Sequence, residues 1–268
     1  TYELTDAPVR LDRARYFLVF GMRTNIALTA SARIWVEAIR HLASLPQVEA
    51  QNLSLLLREN LMLFAPRLTR HSTAEASYTA QGKHDLEMSL EDIVRRIDTK
   101  PQADQCIVSV LKPDANPFFP PAKAMAQAFD GKQNRYSRMG QQLRRMAVRF
   151  SWNNMATAEM RDLNRHRTGH RMSLLSQRGL YYGPQRLGPT SYFHPEQEVL
   201  TQKVQTEAQG FADEQASLLH DIALAGDPSY VYGLLLGSQS PFEHVTTADK
   251  FIYEVELRTG MGAHYRYA

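Results

Sequence analysis

The chain has 268 residues, 43% of them apolar, and a net charge of only +3. That is enough apolar material for a real core in one large or two small domains, and too little charge for a polycation that coats nucleic acid. A single cysteine, Cys106, excludes an internal disulfide framework and any zinc site built on several thiolates.

In chain order, residues 31–43 place Ile34, Trp35, Ala38, Ile39 and Leu42 at helical spacing, and Pro46 ends that run. A second amphipathic helix is predicted from Val48 to Pro66, its Leu ladder at 53–63 being core or subunit-interface material. Residues 72–83 are small and polar and read as a connection. Residues 84–97 form a helix with Leu86, Leu90, Ile93, Val94 and Ile97 on one side. "CIVSVL" at 106–111 reads as a short buried strand, in which Cys106 is a core residue, and "AVRFSW" at 147–152 as a second strand. A helix is expected from about Met155 to Arg165, followed by an irregular turn. A long helix at 195–225 is stopped by Gly226, Asp227 and Pro228, and a final helix covers "TTADKFIYEVELRTG" up to Gly260. Helices outnumber strands and do not alternate with them, so the expected class is α+β. No apolar run approaches the roughly 18 residues of a membrane span, no secretory leader is apparent, and a cytoplasmic location is expected. His41, His71, His84, His194 and His220 are scattered with no pair at metal-ligand spacing, so no metal site is expected.

The segments "FGMRTNIALTASARIWVEAIRHL" (20–42) and "LGSQSPFEHVTTADKFIYEVELR" (236–258) echo one another. Each has a Gly, a small hydroxyl three residues on, an Ala eight residues later, and then an apolar helix. A duplication divides the chain into a helical segment at 1–76 and a longer unit at 77–268.

Basic charge is concentrated in "RDLNRHRTGHRMSLLSQRG" (161–179), with five arginines and two histidines. Arg161 and Arg165 share a helical face, and Arg165, His166 and Arg167 fan around the helix end. Guanidinium forks suit phosphate oxygens because they offer coplanar N–H pairs. Ser176 and Arg178 lie two apart and project the same way from an extended segment. Residue types alone leave two readings open, a solvated basic face and an anion pocket.

"RHR" (165–167) followed by "SQR" (176–178) resembles the signature of the flavin-dependent thymidylate synthases. The preceding "MRDLNRHR" is similar to that family's run, and residues 230–267 resemble its second half. The likeness covers about 105–268, and "ARYFLVFGMRTN" (14–25) matches the same second half from another copy. The resemblance implies a mainly antiparallel sheet flanked by long helices, and C5-methylation of dUMP or UMP using FAD, NADPH and methylenetetrahydrofolate. By position, Arg165, His166, Arg167, Thr247 and Tyr253 would hold FAD. Asp162, Ser176, Gln177 and Arg178 would bind the nucleotide, and Arg258 would be the catalytic residue at the uracil ring. It also implies a homotetramer with pockets shared between subunits. The sequence departs from the pattern at Asp162, Met172, Ser173, Gly179 and Val231. Arg15 stands in the N-terminal echo where Val231 stands in the C-terminal one. Two other readings are a catalytically degenerate subunit that binds flavin or nucleotide, and a module whose arginines grip nucleic-acid phosphates.

Overall fold

The computed structural model describes residues 15–103, 105–111, 127–134, 136–165, 168–181 and 195–259, without the side chains of 195–205, 208, 258 and 259. His166 and Arg167 lie outside the described residues, and Arg258 is described by its backbone alone. No helix among the described residues is long and apolar enough to cross a membrane.

The fold is α+β. After a 3-10 turn at Arg15–Phe17 come helices α1 (Ala32–Ser44), α2 (Val48–Phe64), a single turn α3 (Pro66–Thr69) and α4 (Ala76–Arg96). Strand β1 (Cys106–Leu111) and strand β2 (Ala147–Ala156) follow, then the short helix α5 (Thr157–Leu163) and strand β3 (His170–Ser173). The long helix α6 (Pro195–Leu224), a 3-10 segment (Pro228–Gly233), strand β4 (Gln239–Thr247) and helix α7 (Ala248–Thr259) complete it. The sheet runs β1-β2-β4-β3, antiparallel throughout, so β4 is central although it comes last.

Local sequence explains most boundaries. Ser31 caps α1 by accepting from the Ile34 amide, and Pro66 occupies the first turn of α3, where a missing N–H costs little. Asp227 caps the segment after α6, its side chain accepting from the Ser229 amide. The main helical core joins Ile93 of α4 to Leu219 and Ala223 of α6 and to Tyr230 and Leu234 beyond it. Burying side chains of this size stabilises by roughly 1.5–3 kcal/mol each. A second core, under the sheet, joins Val148 and Phe150 of β2 to Leu143 and Ala248, with Phe251 and Ile252 of α7 beside them.

Four expectations need correction. α4 begins at Ala76, so residues 76–83 are helical and the connection is shorter. β2 runs on to Ala156 and the helix after it starts only at Thr157. β1 is an edge strand whose Ile107, Val108, Val110 and Leu111 are exposed, and Cys106 with them, which removes its core role. Desolvation still pushes the Cys106 thiol up, away from a reactive thiolate. Of the Leu ladder in α2, Leu53, Leu55, Leu56 and Leu63 face solvent, so the core half of that expectation is not met.

Candidate anion and nucleotide site

The helix α5 is only seven residues long, yet it buries two carboxylates on one face, Glu159 (1% exposed) and Asp162 (6%). They are three positions apart, one turn of helix. The N-terminal segment meets both: the Tyr16 hydroxyl donates to Glu159 Oε1 at 2.6 Å, and Arg15 Nη2 donates to Asp162 Oδ2 at 3.2 Å. Tyr16 is fully buried, edge-on to Tyr181 at 4.9 Å, and Arg15 rides over its ring. On the other side of Asp162, Arg165 Nη2 lies 3.5 Å from Oδ1. Asp162 is thus bracketed by two guanidinium groups. The Arg165 side chain is 71% exposed and presents its remaining donors outward.

Thr168 and Gly169 are fixed from below. Thr168 donates its hydroxyl to Glu254 Oε1 of α7 at 2.7 Å, and its carbonyl lies 3.1 Å from His244 Nε2 of β4. The other ring nitrogen of His244 faces Glu254 Oε2 at 3.5 Å, with both side chains almost fully buried. Both ring nitrogens of His244 thus face oxygens, so the ring links the Thr168 carbonyl to α7. Gly169 follows with φ +73°, and a Cβ there would lie 2.1 Å from the Val245 carbonyl. Only glycine fits this turn. The clamp ties Thr168, the residue after the Arg-His-Arg run, to the helix that carries Arg258.

The Ser-x-Arg run is braced from every side. Arg178 forks onto Asp92 of α4, with Nε at 2.9 Å from Oδ2 and Nη2 at 2.8 Å from Oδ1. Burial acts to raise the Asp92 pKa, but Arg178, helped by Ser176 and Arg96, outweighs it and holds the carboxyl below its ordinary value. Gln177 is fully buried and accepts from Ser238 at 2.8 Å, while Ser240 donates to the Ser176 carbonyl at 2.7 Å. The segment is braced further by backbone bonds Arg178 N to Gln239 O and Asp98 N to Gln177 O. The Arg178 fork is thus committed to a carboxylate of the protein itself.

Thr247, just before α7, donates to Asp249 at 2.6 Å, and Tyr253 sits near Tyr136, ring centroids 6.5 Å apart. The structure therefore brings Asp162 and Arg165 together, with Thr168 beyond them held by Glu254 of α7, and gathers Ser176, Gln177 and Arg178 around Asp92 and β4. Sequence reasoning missed Tyr16, Glu159, Thr168 and Asp92. Glu159 and Asp162 were visible as an i,i+3 carboxylate pair; the partners of Tyr16 and Arg178 lie 143 and 86 residues away and gave no signal.

No family model matches the chain, and no curated protein matches it. Among solved structures, the chain is similar to a UMP/dUMP methylase, PolB from Streptomyces cacaoi, bound with 5-Br UMP. The identity is 17% and the TM-score 0.42, over 61% of this chain and 80% of that one. The likeness is distant.

Proposed function

We propose that the chain is a flavin-dependent enzyme that methylates C5 of a uridine nucleotide, UMP or dUMP, with methylenetetrahydrofolate as carbon donor and NADPH as reductant. The observation that carries this reading is the Thr168–Glu254–His244 clamp, which holds the residue after the Arg-His-Arg run against the helix bearing Arg258. Two parts of the resembling signature, far apart in sequence, are thereby locked to each other.

The donors present fit a dinucleotide. Arg165 spends one edge on Asp162 and keeps the rest of its fork for phosphate oxygens. His166, Arg167, Thr247 and Tyr253 are the further proposed contacts of FAD, which when bound supplies the hydride relay from NADPH. Asp162 orients Arg165 and also pairs with Arg15. Ser176, Gln177 and Arg178 bound the nucleotide side. Arg258, a cation beside the uracil ring, favours loss of the N3 proton and so makes C5 nucleophilic; each unit of such a shift is worth about 1.4 kcal/mol. Pockets shared among four subunits complete the proposal.

A second reading, a subunit that binds flavin without turnover, draws on one observation: the Arg178 fork is already on Asp92. Purified protein decides between them. A flavin absorbance band with NADPH oxidation that depends on added UMP or dUMP supports the enzyme. Yellow protein with no such oxidation supports the second reading, and colourless protein with salt-sensitive oligonucleotide binding refutes both.

A further inference from the structure

The two echoing segments meet in space. Val19 and Leu235 face each other as an antiparallel pair, and they are equivalent residues in the echo, which runs at a constant offset of 216 positions (Gly21 and Gly237, Ala32 and Ala248). The backbone hydrogen bonds around them repeat in mates related by that offset. Phe20 N donates to Leu234 O, and Leu236 N to Leu18 O, both at 2.9 Å. Gly21 N donates to Tyr232 O at 3.0 Å, and Gly237 N to Tyr16 O at 2.8 Å. Outside this pairing, Leu18 N to Arg15 O matches Leu234 N to Val231 O, and Met22 N to Val19 O matches Ser238 N to Leu235 O.

The glycines obey the same relation. A Cβ on Gly21 would lie 3.0 Å from the Tyr232 carbonyl, and one on Gly237 would lie 2.9 Å from that of Tyr16. At each glycine the mate's tyrosine backbone passes close to where a Cβ would stand, and at Gly237 the Tyr181 carbonyl lies closer still, at 2.3 Å. Farther out, α1 and α7 both begin at the equivalent alanine, Ala32 and Ala248. Between junction and helix the copies diverge. The second runs through β4, flanked by β2 and β3, whereas residues 23–30 of the first have no regular structure and expose Ile26 and Leu28.

We propose that residues 15–43 and 231–259 are two copies of one segment, paired inside a single chain as identical subunits pair across a two-fold axis, and that the first copy serves the site of the second. Self-complementary pairing of one patch with itself defines an isologous interface, and here both patches belong to one polypeptide. The pairing is symmetric in backbone and asymmetric in chemistry. On one side Arg15 and Tyr16 reach Asp162 and Glu159. On the other, Val231 replaces the arginine, and Tyr232 meets Glu49 of α2, which with desolvation raises the phenol's pKa. Only the first side combines buried carboxylates with a guanidinium, so one nucleotide site per chain is expected. This second half of the proposal rests on the nucleotide reading above; the pairing does not.

The pairing is tested in full-length chain carrying Cys106→Ser, Val19→Cys and Leu235→Cys. A non-hydrogen-bonded antiparallel pair has Cα atoms about 4.5 Å apart, within disulfide reach. Mild oxidation should give one intrachain disulfide, seen as faster migration on a non-reducing gel at single-chain mass. Folded protein without that cross-link, or with links only between chains, overturns the pairing. Should buried Leu235 not accept cysteine, amide exchange in the parent chain tests the same contact. Phe20, Gly21, Leu236 and Gly237 should be protected together, and fast exchange at Phe20 and Gly21 would overturn the claim. The serving role is tested by calorimetry with UMP. Arg15→Met and Tyr16→Phe should each weaken UMP binding about tenfold, with part of the Arg15→Met loss recovered by Arg15→Lys, and the parent should bind one UMP per chain. Unchanged affinity in the variants, or two UMP per chain, overturns that role. A parent chain that binds no UMP refutes the nucleotide reading instead, and with it the serving role, while the cross-link still decides the pairing.

Discussion

Arg178→Met removes the fork from Asp92 and leaves a carboxylate that is 8% exposed, with Arg96 Nε at 3.9 Å as its nearest remaining cation. Breaking a buried ion pair from one side costs about 3–5 kcal/mol. Arg178 keeps some water contact and Arg96 gives slight compensation, so a loss of about 3 kcal/mol is expected. For a chain of this size that lowers the melting temperature by roughly 6–12 °C. The pH dependence carries the sharper test. In the parent, the Asp92 pKa is depressed, so its contribution is complete above the unfolded value and is lost as pH falls through the folded one. In the variant only Ser176 and Arg96 still oppose burial, so the pKa rises from its parent value and the penalty is relieved as pH falls. The melting deficit should therefore be large at pH 7 and narrow toward pH 4. Adding Asp92→Asn should recover most of it, because the uncompensated charge is gone. Parent and variant melting alike, or a deficit that does not change with pH, would refute the assignment of Arg178 to the fold.

Gly169→Ala should lose more than about 2 kcal/mol in chemical denaturation, because a left-handed backbone and a Cβ 2.1 Å from the Val245 carbonyl are both violated; a smaller loss would mean that the turn can move. Tyr230 is pushed up to about 12 by burial, which exceeds the lowering by Ser89. Its folded pKa lies above the unfolded one, so stability should fall by about 2–3 kcal/mol as pH rises from 10 to 12, an effect that Tyr230→Phe abolishes in an alkaline melt series. Arg165→Ala should lose the flavin colour while keeping the parent's circular dichroism, and retained colour would count against its place at the cofactor. Arg258→Ala should stay yellow and lose methyl transfer, with unchanged turnover refuting its role.

The helices were legible because apolar side chains recur at helical spacing: α1, α2 and α6 lie within a residue or two of where Leu, Ile and Ala put them, although in α2 most of those side chains face solvent. β4 was not. Its inward positions are Gln239, Ser240, Phe242, His244 and Thr246, mostly polar, and Pro241 stands inside it, so a period of two in apolar residues never appears. Polar side chains fill the centre of this sheet because they hydrogen-bond to the Ser-x-Arg run and the Thr168 turn, contacts that chain order conceals. β3 has only four residues inside a basic stretch. The site shows the same division. The proximity of Arg165 to Asp162 follows from helical spacing, whereas the occupation of Arg178 by Asp92 depends on α4 packing against a segment 86 residues away.

Mass analysis of the nucleotide, after incubating UMP and dUMP in turn with the protein, FAD, NADPH and methylenetetrahydrofolate, tests the central claim most directly. The expected product is heavier by one methyl group in place of the C5 hydrogen, and is absent when Arg258→Ala protein is used. Recovery of both nucleotides unchanged, from flavin-loaded protein, would contradict the claim.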